Sequence, residues 1–98
     1  MEIKIDKIKL EEGKLTEISA SPKIIGYFNG KQYFALSGIC PHAKWPLELG
    51  SVDDCILTCA GHSWGFSITD GKCKTNPGRG LKSYNISETE NEIIISDK

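Results

Sequence analysis

The chain reads as an all-β, antiparallel protein. Apolar residues alternate with polar ones in short runs, Gly, Asn, Asp and Pro separate those runs, and no window holds a helical period. Ile3, Ile5, Ile8 and Leu10 form the first run, which Glu12-Gly13 ends. Residues 24–28 and 32–36 flank Asn29-Gly30, a dipeptide suited to a type I′ hairpin because both central residues of that turn need positive φ. Residues 54–59 read as a strand that carries Cys55. Residues 66–69 and 72–74 flank a second hairpin signal, Asp70-Gly71. Residues 82–86 pair with 92–96 across an acidic turn, and residues 46–49 support one turn of helix at most.

The chain of 98 residues makes one domain with a modest core. Lys and Arg number 12 and Asp and Glu 13, for a net charge of −1, so there is no basic cluster of the kind that binds nucleic acid. No apolar run approaches the roughly 18 residues of a membrane span. The amino terminus alternates charge with Ile instead of forming a signal-peptide core. The expectation is a soluble, cytoplasmic protein without nucleic-acid or membrane partners.

Chemistry concentrates in two clusters, Cys40-Pro41-His42 and Cys59-Ala60-Gly61-His62, which use both histidines of the chain. Each offers one thiolate and one imidazole, side chains that readily hold iron or zinc. A zinc finger usually takes both cysteines from one turn and both histidines from one helix. Here each loop supplies one of each, a set that suits two chemically distinct irons. Zinc remains the alternative metal. Of the four cysteines, Cys55 and Cys73 lie outside the clusters, either as small, partly buried thiols, the favoured reading, or as a bridge or redox pair.

With Ser63-Trp64-Gly65-Phe66, Asp70-Gly71, Pro77, Leu81 and Tyr84, these clusters resemble the Rieske [2Fe–2S] family, and in particular its small soluble ferredoxins that feed oxygenases. The resemblance implies a small β-sandwich or barrel-like fold over residues 1–98, with a cluster-binding subdomain at about 40–74. It implies one [2Fe–2S] cluster per chain, with Cys40, His42, Cys59 and His62 as cofactor- and metal-binding residues. It also implies a one-electron carrier, not itself an enzyme, between a flavin-dependent reductase and a terminal oxygenase. The alternatives are a small Rieske subunit of a larger oxidoreductase, such as nitrite reductase, and a zinc-stabilised interaction module.

Two ferric ions, two sulfides, two thiolates and two neutral imidazoles sum to zero charge, whereas an all-cysteine cluster carries −2. Histidine ligation therefore raises the potential, from about −400 mV in plant-type ferredoxins to a range beginning near −150 mV. The Rieske proteins of cytochrome bc complexes add a cysteine in each loop and two hydroxyl side chains near the ligands. The matching positions here hold Trp45, Gly61, Trp64 and Phe66, so the expected potential is at the low end. Trp64 and Phe66 are expected more as ordinary core than as a shield for the cluster. Residues 75–80 resemble the family's covering proline loop, and Lys44 and Trp45 are expected on the rim of a docking face.

Overall fold

The computed structural model describes residues 2–40, 45–60, 64–74 and 80–97. Among the described residues nine strands make three antiparallel sheets of three: β1 (Glu2–Asp6), β2 (Leu15–Ala20), β3 (Lys23–Phe28), β4 (Tyr33–Ser37), β5 (Ser51–Asp53), β6 (Ile56–Thr58), β7 (Gly65–Ser67), β8 (Asn85–Glu88) and β9 (Glu92–Ser96). The terminal sheet has the order β1-β9-β8, the middle sheet β2-β3-β4 and the third sheet β5-β6-β7. Beside them the described residues hold only two 3₁₀ turns, Lys7–Lys9 and Leu47–Leu49. The all-β expectation holds.

The middle sheet has both faces covered, and its alternation assigns them. Ile25, Tyr27 and Leu36 belong to one buried group, together with Leu47, Leu57, Phe66 and Ile68 of the third-sheet region. Their neighbours Ile24 and Ala35 belong to the other, with Ile93 and Ile95 of the terminal sheet. The Cα register agrees: Ile25 opposes Leu36, and Gly26 opposes Ala35. Successive side chains of β3 and β4 thus enter opposite layers, which produces a sandwich. The chain returning to the terminal sheet first runs along β4, where Ser37 N–H donates to Lys82 O (2.8 Å) and Tyr84 N–H to Ala35 O (3.0 Å). That contact ties the chain entering the terminal sheet to the middle sheet.

Three local expectations need correction. Ile8 is 84% exposed, because the 3₁₀ turn at Lys7–Lys9 interrupts the strand alternation and delivers Leu10 to the core instead. Asn29-Gly30 does not make a two-residue type I′ turn. Phe28 opposes Tyr33, so the loop has four residues, and only Gly30 has positive φ. Asn29 spends its side chain on the loop: Oδ1 accepts from the N–H groups of Lys31 (2.8 Å) and Gln32 (2.7 Å), the local bond that makes Asn a turn former.

The third correction concerns Cys55. Asp53 opposes Ile56, so Asp54 and Cys55 form a two-residue turn rather than part of a strand, with φ of 51° and 64°. Both values are the positive φ of a type I′ turn, in which the second position favours glycine. A side chain held in the left-handed region costs about 1–2 kcal/mol, and glycine's extra chain entropy offsets roughly half of that. Cys55→Gly is therefore expected to stabilise the protein by about 0.5–1 kcal/mol, a rise of several degrees in melting temperature for a chain of this size. Thermal unfolding of the two proteins checks this, and an equal or lower melting temperature for the variant refutes it.

Candidate metal centre

Two hairpins carry the predicted cysteines, and both close in the same way. After β4, Gly38 N–H donates to Lys23 O (2.9 Å), Leu47 N–H to Gly38 O (2.8 Å) and Cys40 N–H to Trp45 O (3.0 Å). Ile39 and Pro46 form a bridge between the two arms. In the third sheet Thr58 opposes Gly65, and Cys59 N–H donates to Trp64 O (2.9 Å). Each cysteine thus bonds, through its backbone, to the carbonyl of a tryptophan five residues on. His42 and His62 lie between these closures in sequence and fall outside the described residues, as do Lys44 and residues 75–79 of the expected covering loop.

Gly50 brings the hairpins together. It follows the 3₁₀ turn Leu47–Leu49, and a Cβ there would collide with the backbone oxygen of Thr58, the residue before Cys59. With no side chain to hold it off, the exit arm of the first hairpin lies directly against the strand that leads to the second cysteine. Cys40 and Cys59, 0% and 1% exposed, end in one apolar core group with Leu47, Leu57 and Phe66. Among the described residues no three His, Cys, Asp or Glu side chains gather as a metal site.

The two tryptophans differ. Trp45 is 43% exposed, whereas Trp64 is half-buried and packs on the core group beside Phe66, with ring centroids 6.5 Å apart and planes tilted by 44°. Phe66 is completely enclosed and opposes Leu57 across the sheet. Its ordinary-core reading fits that position. Cys73 forms a bridge with Phe66 and is buried, while Cys55 is exposed at its turn, and neither is in a disulfide. Cys73 therefore fits the expected buried thiol better than Cys55 does.

One electrostatic feature of the structure has no signal in the sequence. Lys23 Nζ, on β3, lies 2.7 Å from Glu48 Oε2 and 3.0 Å from Glu17 Oε1. The bond to Glu48, chiefly, raises the lysine above its ordinary pKa, against the opposing effect of burial. Glu48 is 25 residues from Lys23, so no local pattern could announce the pair.

Among the described residues no helix is long and apolar enough to cross a membrane. The chain is 32% identical over 88 residues to the ferredoxin component of biphenyl 2,3-dioxygenase from Rhodococcus jostii (strain RHA1), covering 88% of this chain and 82% of that protein. It is 30% identical over 66 residues to the methanesulfonate monooxygenase ferredoxin subunit of Methylosulfonomonas methylovora, covering 66% of this chain and only 54% of that relative's length. The ferredoxin of carbazole 1,9a-dioxygenase from Nocardioides aromaticivorans IC177 shares the fold, with a TM-score of 0.90, 18% identity and coverage of 100% of this chain and 99% of that one. The family model for the Rieske [2Fe-2S] domain matches residues 3–85, from β1 through both cysteine hairpins to the start of β8, and the chain belongs to that family.

Proposed function

We propose that the chain is a one-electron carrier whose [2Fe–2S] cluster is held by Cys40, His42, Cys59 and His62. The observation that carries this reading is the burial of Cys40 and Cys59 in one apolar core group at the mouths of two hairpins with the same closure. The donor set fits the group. An ionised thiolate in such a core is costly unless a cation compensates it, and iron supplies that charge. When bound, the cluster supplies a centre that accepts and releases one electron.

The chain's own residues hold this centre and limit its exposure. Cys40 and Cys59 anchor it from the core side. Their N–H groups are committed to the tryptophan carbonyls, so donors to the sulfides must come from other residues of the loops. Trp64 and Phe66 occupy the core beside Cys59 and bring no hydroxyl donor there. In this reading residues 1–98 are one domain, with residues 40–74 as its cluster-binding subdomain. The carrier is not itself an enzyme. It works in the cytoplasm, taking electrons from a flavin-dependent reductase and passing them to a terminal oxygenase. Support for those partners comes from the two relatives, each a ferredoxin of an oxygenase system.

Anaerobically prepared protein is expected to contain two irons and two acid-labile sulfides per chain. Its potential should lie near the low end of the Rieske range, about −150 mV, because no hydroxyl at positions 64 and 66 stabilises the reduced state. Iron and sulfide assays with protein-film voltammetry check both. Stoichiometric zinc without sulfide overturns the cluster assignment, and a potential well above zero overturns the tuning argument.

A further inference from the structure

The ion cluster Glu17–Lys23–Glu48 sits where the first cysteine hairpin joins the middle sheet. Lys23 opens β3, and its carbonyl accepts the N–H of Gly38, the first residue of the hairpin's entry arm. Its stem lies flat over that residue: a Cβ on Gly38 would come within 2.7 Å of Lys23 Cγ. Its ammonium reaches Glu48, in the 3₁₀ turn that forms the exit arm, and Glu17 on β2. One side chain therefore touches both arms of the hairpin and ties them to two strands.

The pair is partly enclosed, with side-chain exposures of 17% for Lys23 and 24% for Glu48. Glu48 Oε1 is buried and has no hydrogen-bond partner among the described residues. The carboxylate thus depends on Lys23 for compensation, and removing one partner of such a pair costs more than an exposed bridge would. Glu48 is adjacent to Leu47, whose N–H and carbonyl hold Gly38 and Gly50. Movement of Glu48 would therefore be passed to the backbone contacts that hold the Cys40 hairpin together and seat Gly50 against Thr58, the residue before Cys59.

We propose that Lys23 is a positioning residue for the metal centre, holding the two arms of the Cys40 hairpin in place through Glu48. This rests on the proposed cluster reading. Lys23→Met and Glu48→Gln remove opposite charges but break the same clamp. The clamp predicts one direction for both: faster amide exchange in residues 38–50, broadened electron paramagnetic resonance lines of the reduced protein, and cluster loss to a chelator about tenfold faster, equivalent to about 1.4 kcal/mol. A purely electrostatic influence predicts potentials that move in opposite directions, with linewidth and exchange unchanged.

The test uses holo-protein in five forms: wild type, Lys23→Met, Glu48→Gln, the double variant and Lys23→Arg. The double variant should be no worse than either single one, because the coupling is lost once, and Lys23→Arg should restore most of the wild-type behaviour. Wild-type exchange, linewidth and cluster loss in both single variants overturn the clamp. So do effects on exchange spread evenly over all three sheets, which mark a general loss of stability. If the wild type itself holds no iron and sulfide, the cluster reading has failed. The exchange comparison on residues 38–50 then still decides whether the clamp orders the hairpin.

Discussion

Cys59→Ala is expected to lose its visible absorption and nearly all its iron, and to melt far below the wild type. Cys59 is 1% exposed, directly after β6, in the core group shared by the middle and third sheets. If it is a ligand, its bond to iron joins the second hairpin to the first, and metal binding is then also folding free energy. Such sites contribute on the order of 10 kcal/mol, while the net stability of a whole domain is only about 5–15 kcal/mol. Loss of one of four protein bonds should therefore remove most of the margin in a chain of 98 residues. Cys55→Ala is the control, because Cys55 is exposed at a turn remote in register from the closures. Iron assay, visible spectrum and thermal unfolding of both variants check the contrast. Full iron content with an unchanged spectrum in Cys59→Ala removes that residue from the ligand set.

The strands were legible because alternation is a local signal, and most runs fell where the sheets are. The two cysteine clusters stand out because their chemistry is dense in sequence, and the structure buries Cys40 and Cys59 in one core group. Turn geometry was harder to read. Asn29-Gly30 has the composition of a tight turn, but the Phe28–Tyr33 register leaves four residues in the loop, and the Asn29 side chain completes it. Asp54-Cys55 lacks the glycine that marks such a turn, yet the pairing of β5 with β6 forces it into one. Long-range features left no local trace. The approach of Gly50 to Thr58, the return of residues 82–84 along β4 and the Lys23–Glu48 pair all depend on the assembled layers. The two histidines stand out in sequence and fall outside the described residues; the ligand role proposed for them follows from the sequence and from family membership.

Phe66→Ala should be the most damaging substitution that leaves every predicted ligand intact. Among the described residues Phe66 is the largest fully buried side chain, with no exposed surface. It opposes Leu57 on one side and pairs with Cys73 through an isolated β-bridge on the other, so its ring lies between those two residues in the core group they share. Paired residues across a sheet point to the same side, and alternation carried one residue past β6 puts Cys59 on the face of Leu57, in agreement with their shared core group. Removing the ring therefore opens a cavity next to Leu57 and on the face that carries Cys59. Truncations of this kind cost about 3–5 kcal/mol, which for a domain of this size lowers the melting temperature by more than about 12 °C. The ordinary-core reading makes a further demand: Phe66→Leu, which refills most of the volume, should recover most of the loss. A shielding role predicts something else, a changed potential in Phe66→Leu at nearly wild-type stability. Thermal unfolding with voltammetry on both variants separates the two. A melting temperature within a few degrees of wild type for Phe66→Ala would mean that the surrounding side chains collapse into the space, and that the ring does not hold this layer together.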